Sequence, residues 1–152
     1  MNNEKTENYM DKFETPEEFI RHQILARGNF STLQKKDLYQ MIRKQNIDFT
    51  PNKHGLAYTK KQDLLDAVLT KVSYRELSRY VDVSRQSFCM KFNITVDEFK
   101  ILVQKNLIHK TNEHMGIKFE NGSYSKYSQW CGYDVYDYFN LTKEVIASAL
   151  EK

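Results

Sequence analysis

Hydrophobic residues recur every three or four positions over most of the chain, which is the spacing of amphipathic helices. Short polar runs with capping residues or with Pro and Gly interrupt this pattern and mark the helix ends. The pattern therefore predicts a mainly helical protein. The predicted helices run from Thr15 to Gly28, from Ser31 or Thr32 to Asn46, from Thr59 past Leu69, over 74–81, 85–92 and 96–106, and from Thr142 to Leu150.

Three of these helices begin with a capping box, in which Ser or Thr is followed three residues later by Glu. The pairs are Thr15 with Glu18, Ser73 with Glu76, and Thr95 with Glu98. The hydroxyl accepts a hydrogen bond from a backbone N–H that the helix leaves unpaired, and the carboxylate accepts one from the backbone N–H of the cap residue. This reciprocal pattern sets the first residue of each helix.

The periodicity changes after residue 106. Residues 117–127 alternate around Asn121-Gly122, which predicts a β-hairpin with a type I′ turn. The expected fold class is mainly α with a small β-hairpin, a helical bundle. Its expected parts are a flexible tail over 1–14, a helical subdomain over 15–72, a second one over 73–110, and the hairpin with an aromatic-rich helical region over 111–152.

The segment 74–92, YRELSRYVDVSRQSFCMKF, carries the most specific pattern in the chain. It contains two short helices around Asp82-Val83-Ser84, with a small residue, Ser78, where the helices would touch. Apolar side chains hold such a crossing, and here they are Leu77, Val81, Val83 and Phe88. The run LSRYVDVSRQSF resembles the helix-turn-helix of bacterial and phage repressors, Leu-Ala-x-x-Leu-Gly-Val-Ser-Arg-Gln-Thr-Val. The resemblance continues through FCMKFN and TVDEF and covers residues 73–103.

This resemblance implies a second helix that enters the major groove of DNA. Arg85, Gln86 and Met90 then match the positions that reach base edges, where Arg pairs with guanine and Gln with adenine. Two positions depart from the family pattern, since Asp82 replaces the usual turn glycine and Lys91 replaces an apolar residue. The implied contacts to phosphate are Arg75, Arg79, Ser84, Ser87 and Lys91.

A weaker resemblance covers residues 31–71, where two helices flank an extended segment containing Pro51 and Gly55. This order is similar to the SAP, or helix-extended-loop-helix, motif, and it implies that Lys60 and Lys61 contact nucleic acid. An ordinary αα-hairpin explains the same pattern and stays open as an alternative. In either case the expected packing places Leu38 and Ile42 against Leu64, Leu65 and Val68.

Charge and composition narrow the function classes. Residues 31–110 carry fifteen Lys/Arg and eight Asp/Glu, a balance of +7, while 1–30 and 111–152 each carry −2. Any phosphate contact is therefore expected through the middle of the chain. With 152 residues, 40% of them hydrophobic, and no long apolar run, the sequence indicates a soluble, cytoplasmic protein without a membrane segment. Cys89 and Cys131 are too few and too far apart for a disulfide framework or zinc site.

No pattern of catalytic residues is visible. The four histidines, at positions 22, 54, 109 and 114, are scattered and none has metal-ligand spacing. A glycine-rich phosphate loop and a nucleophile elbow are also missing from the sequence. We therefore expect neither an enzyme nor a protein with a metal or cofactor.

The first functional hypothesis is a sequence-specific DNA-binding transcriptional regulator from a bacterium, phage or mobile element. It would be repressor-like, bind double-stranded DNA as a homodimer and act by occupying an operator. The alternative is a phage or mobile-element inhibitor or adaptor that binds a host nucleic-acid-processing protein, with the helix-turn-helix as scaffold or autoregulatory element. The aromatic residues proposed for a partner or dimer surface are Tyr124, Tyr127, Trp130, Tyr133 and Tyr136.

Overall fold

The structure is a computed structural model that describes residues 7–26, 33–114 and 130–151. It is mainly helical with a two-stranded antiparallel sheet, which confirms the predicted fold class. The helices are α1 (Pro16–Leu25), α2 (Lys35–Lys44), α3 (Lys61–Val68), α4 (Tyr74–Leu77), α5 (Arg85–Phe92), α6 (Val96–Gln104), α7 (Val135–Asn140) and α8 (Lys143–Leu150). The strands are β1 (Lys110–His114) and β2 (Trp130–Tyr133), and 3₁₀ turns occupy Tyr9–Lys12, Leu56–Tyr58 and Ser78–Tyr80.

The chain divides into two compact units. The central unit is Ile20–Val81, and the terminal unit combines Met1–Phe19 with Asp82–Lys152. The chain passes between the units inside α1 and again before Asp82. The second passage falls within the segment 73–92, so α4 belongs to the central unit and α5 to the terminal unit.

The predicted capping residues fix several helix starts. Ser73 and Thr95 form complete capping boxes with Glu76 and Glu98, and each hydroxyl accepts the backbone N–H three residues on at 3.1 Å. The Thr15 hydroxyl accepts the Glu18 N–H at 3.1 Å. Single caps also form as predicted at Ser84 for α5 and Thr142 for α8.

The starts of α2 and α3 differ from the sequence prediction. Helix α3 begins at Lys61, because the buried Thr59 hydroxyl is used inside the preceding loop. It accepts the Asn52 N–H at 2.9 Å and donates to the Gly55 carbonyl at 3.2 Å. Helix α2 begins at Lys35, later than a cap at Ser31 or Thr32 would give, and those two positions lie outside the described residues.

In the central unit, α2 and α3 lie side by side and run parallel. At their first turns, Lys35 Nζ donates to the Ala57 carbonyl at 3.0 Å and Lys61 Nζ donates to the Leu33 carbonyl at 2.7 Å. Beyond their last turns, Lys71 Nζ donates to the Gln45 carbonyl at 3.3 Å. The apolar residues predicted for this packing, Leu38, Ile42, Leu64, Leu65 and Val68, are all buried.

In the terminal unit, β1 and β2 pair antiparallel, with Glu113 opposite Cys131 and an irregularity near Lys110. Val83 extends the pairing by one residue, exchanging backbone hydrogen bonds of 2.9 and 3.0 Å with Tyr133. The hairpin predicted over 117–127 lies outside the described residues. The core of this unit includes an aromatic cluster made of Phe88, Phe92, Phe99, Tyr133 and Tyr138.

Residues 8–13 are packed, although the sequence predicts a flexible tail over 1–14. Asn8, Met10 and Phe13 are buried, and the Phe13 ring lies 5.2 Å from that of Phe19. Asn8 Nδ2 donates to the Ser87 carbonyl at 3.0 Å and to the Tyr138 hydroxyl at 2.9 Å. Scattered apolar residues without helical spacing give no sign of this packing in the sequence, because it depends on distant partners.

Candidate nucleic-acid interface

Helix α5 is held on the aromatic cluster by one of its sides. The Phe88 ring centroid lies 5.2 Å from that of Tyr138 and 5.6 Å from that of Phe99. Phe92, one turn later, is also buried and lies 6.5 Å from Phe88. Rings at these separations contribute burial and favourable edge contacts, so the orientation of α5 within the terminal unit is well determined.

The opposite side of α5 is open at its first turn. Arg85 and Gln86 are exposed, as the base-reading positions of a recognition helix would be, while Met90 is half-buried. The exposed cap residue Ser84 accepts the Ser87 N–H at 3.1 Å. Burial raises the pKa of the neighbouring Cys89 thiol, and the positive charge of Arg85 partly offsets this increase. Two long polar side chains therefore stand at the start of a helix whose other side is fixed.

Two residues implied as phosphate contacts have internal partners instead. Ser87 is buried, its hydroxyl accepts from that of Ser84 at 3.1 Å, and its carbonyl accepts from Asn8. The half-buried Lys91 Nζ donates to the Tyr138 carbonyl and lies 4.4 Å from the centre of the Tyr138 ring. Burial lowers the pKa of this ammonium group. Both residues anchor α5, which a repressor-like pattern does not reveal.

The link between the 3₁₀ turn at 78–80 and α5 is an extended segment. Val81 and Ser84 both have β-region backbone angles, and Val83 pairs with Tyr133. Asp82 is not among the described residues with positive φ, which are Asn46, Gly55, Asn93 and Asn106. Asp82 therefore does not have the left-handed backbone angles that the usual turn glycine supplies. Its carboxylate instead accepts a hydrogen bond from the Thr111 hydroxyl.

Positive charge is concentrated in the central unit. Residues 20–81 carry twelve Lys/Arg and five Asp/Glu, a net +7, whereas the terminal unit carries eleven and fifteen, a net −4. Arg75 and Arg79 are exposed on this unit, and the Arg79 guanidinium lies 5.6 Å from the centre of the Tyr80 ring. The sequence shows the basic middle of the chain, but not the unit boundaries that assign this charge to the central unit.

A groove of about 580 Å³ lies at the start of α2 and α3. We call it the basic groove, and it is lined by Gln34, Lys35, Lys36, Leu56, Ala57 and Lys61. Burial lowers the pKa of Lys61, Asp37 opposes this effect, and the charge of Lys35 adds to it. The exposed Lys60 immediately precedes α3. The helix-extended-loop-helix pattern indicates Lys60 and Lys61 but not Lys35 and Lys36, although both helices begin beside a Lys-Lys pair.

The proposed partner surface is described only in part. The Tyr133 ring lies 4.8 Å from that of Phe99, and the Tyr136 hydroxyl donates to the Glu17 carboxylate at 2.9 Å. Both tyrosines are thus engaged within the terminal unit. Tyr124 and Tyr127, and the side chain of Trp130, lie outside the described residues.

Within the described ranges, no group of three or more His, Cys, Asp or Glu side chains is placed to hold a metal ion. None of the helices described combines the length and hydrophobicity of a membrane span. Comparisons with protein-family models, curated proteins and solved structures found no match to this chain.

Proposed function

We propose that this protein is a sequence-specific DNA-binding regulator that reads base edges with the first turn of α5. The observation that carries the proposal is the construction of α5. Its inner side is fixed on the aromatic cluster, and its first turn presents Arg85 and Gln86 to solvent. A helix whose orientation is determined by packing can present these side chains in one geometry.

The two exposed side chains suit base recognition. Arg donates two hydrogen bonds to guanine, and Gln pairs with adenine in the same bidentate manner. Each such contact discriminates against a wrong base by about 1–3 kcal/mol. Because Ser87 and Lys91 face the core, the phosphate contacts are assigned to other residues.

The central unit supplies the attraction to DNA in this proposal. Its net charge of +7 favours approach to phosphate, whereas the −4 of the terminal unit opposes it. Arg75 and Arg79 are exposed candidates for phosphate contacts that set the register of the protein on the duplex. Occupying an operator would then block or recruit polymerase, and a homodimer would read two half-sites about one helical turn apart.

The test begins with selection of a preferred site from a random duplex library by the full-length protein. Fluorescence anisotropy then measures affinity for the selected and random duplexes across a salt series. The test variant is Arg85→Ala/Gln86→Ala. The matched control is Lys100→Ala/Gln104→Ala, which removes one positive charge and one amide from exposed positions of α6.

Under the proposed function, the test variant should lower the ratio of affinity for the selected duplex to affinity for random duplex by about 5- to 150-fold for each lost contact. The control variant should leave this ratio unchanged. Wild-type affinity should fall steeply with salt, because phosphate contacts release counterions. No binding to duplex DNA at low salt, or an equal effect of both variants, would contradict the proposal.

A further inference from the structure

The basic groove concentrates positive charge. Lys35, Lys36 and Lys61 line it, and Lys60 immediately precedes Lys61 at the start of α3. Among the described residues, no carboxylate lies within ion-pairing distance of these four ammonium groups. The nearby Asp37 side chain accepts the Gln34 N–H at 2.8 Å. The groove is therefore strongly positive.

This arrangement is unfavourable for the unliganded protein. Lysines at the start of a helix are repelled by the positive end of the helix dipole. Because α2 and α3 run parallel, both positive ends meet at the basic groove. The proximity of Lys35 also lowers the pKa of Lys61. A bound polyanion would relieve each of these repulsions.

An exposed aromatic side chain belongs to the same 3₁₀ turn as two residues of the groove lining. Tyr58 is 69% exposed, the highest value among the large hydrophobic side chains of the described residues. It follows Leu56 and Ala57, which line the groove, in the same 3₁₀ turn. The His54 ring lies 5.9 Å from the Tyr58 ring in an edge-to-face arrangement. The tyrosine is therefore supported from one side and open to solvent.

From this juxtaposition we infer that the basic groove and Tyr58 form a binding site for single-stranded nucleic acid. The exposed Lys36 and Lys60 contact backbone phosphates, Lys35 and Lys61 add positive charge, and an unpaired base stacks on the Tyr58 ring. A duplex does not offer this contact, because its base faces are covered by their neighbours in the stack. This binding site does not include α5, which lies in the terminal unit.

The experiment measures binding of full-length protein to fluorescein-labelled oligothymidylate of about 12 nucleotides, a length within the usual site sizes. An abasic strand of equal length keeps the phosphates but lacks the bases. Tyr58→Leu removes the ring, and Tyr58→Phe keeps it. Lys36→Gln/Lys60→Gln removes two exposed charges at the groove, and Lys44→Gln/Lys71→Gln is its control. Lys44 lies eight residues beyond Lys36 on α2, about 12 Å along the helix.

Tyr58→Leu should weaken oligothymidylate binding by about 5- to 150-fold, the effect of losing one stacked base. It should leave binding of the abasic strand unchanged, and Tyr58→Phe should bind oligothymidylate like wild type. The groove variant should lower the salt dependence of log affinity by about 1.4, or 0.7 for each phosphate contact. The control should change this slope by less than half as much.

Equal binding of oligothymidylate by wild type and Tyr58→Leu would overturn the inference. Equal slopes for the groove and control variants would also overturn it, as would binding to duplex alone. Oligouridine in parallel distinguishes DNA from RNA, and binding to either strand supports the site. The proposed regulator function is tested separately, by the effect of Arg85→Ala/Gln86→Ala on binding to duplex DNA.

Discussion

Asn8 provides a direct test of how the N-terminal segment is fixed in the terminal unit. Asn8 is 7% exposed, and its side chain makes three hydrogen bonds within the described part of the chain. Nδ2 donates to the Ser87 carbonyl at 3.0 Å and the Tyr138 hydroxyl at 2.9 Å, and Oδ1 accepts the Met10 N–H at 3.1 Å. The substitution Asn8→Ala removes all three bonds.

Each buried polar group that loses its partner costs about 1–3 kcal/mol. Three groups lose a partner in Asn8→Ala, but water can reach those near the surface. We therefore expect a total loss of about 2–4 kcal/mol in the free energy of unfolding. Asn8→Asp should lower the free energy of unfolding by at least half as much as Asn8→Ala, because a carboxylate cannot donate to the Ser87 carbonyl.

Urea denaturation at pH 7 measures this loss as a lower midpoint with an unchanged slope. Asn140→Ala, at an exposed position, is the control and should stay within about 0.5 kcal/mol of wild type. A double-mutant cycle of Asn8→Ala with Tyr138→Phe should give a coupling of about 0.5–1.5 kcal/mol for their hydrogen bond. If Asn8→Ala is as stable as the control, the segment is a tail and the packing argument is refuted.

Three further predictions concern single side chains. Gly132→Ala should cost about 1–3 kcal/mol in thermal unfolding, because the new Cβ would lie 1.9 Å from Asp82 Cγ. Asp82→Gly should restore part of this loss and Asp82→Ala should not, since Asp82 Cβ lies 2.0 Å from the same point. Burial raises the pKa of Tyr138 to about 12, so its contribution to stability is full below about pH 10 and is lost as the pH rises toward 12. Alkaline denaturation of Tyr138→Phe should lack this component. Ser84→Ala should cost about 1 kcal/mol by uncapping α5, whereas Ser84→Asp should keep the stability but weaken duplex binding.

The parts of the fold that the sequence predicted correctly depend on interactions between near neighbours. The boxes at Ser73 and Thr95 and the cap at Ser84 each join residues three positions apart, so their pattern is visible in the chain. The bounds of α5, Arg85–Phe92, follow from the Ser84 cap and the left-handed Asn93 that ends the helix.

The parts that were missed depend on distant partners. Thr59 has the residue type of a cap, but its hydroxyl is used by Asn52 and Gly55, so α3 begins later. Strands β1 and β2, with sequences KTNEH and WCGY, lack a regular alternation of polar and apolar residues. Fifteen residues separate the two strands, and the local periodicity of each strand does not indicate their pairing.

The sequence predicts those site residues whose exposure follows from their position in the helix. The position of Ser84 predicts that Arg85, Gln86 and Ser87 stand in an open first turn. Arg85 and Gln86 are exposed, but Ser87 is buried. Register alone does not predict Lys91, because its ammonium group is directed by the Tyr138 carbonyl and ring. The basic groove was only half identified, because it depends on the parallel arrangement of α2 and α3.

Under the proposed function, the different net charges of the two units explain why Ser87 and Lys91 make internal contacts and not phosphate contacts. A recognition helix in a unit of net charge −4 gains little from one or two phosphate contacts of its own. With a central unit of +7 in the same chain, affinity for the backbone can come from that unit. Ser87 and Lys91 are then available to anchor α5, which sharpens the geometry of Arg85 and Gln86. Charge on the central unit would therefore set affinity and its salt dependence, and packing beneath α5 would set specificity.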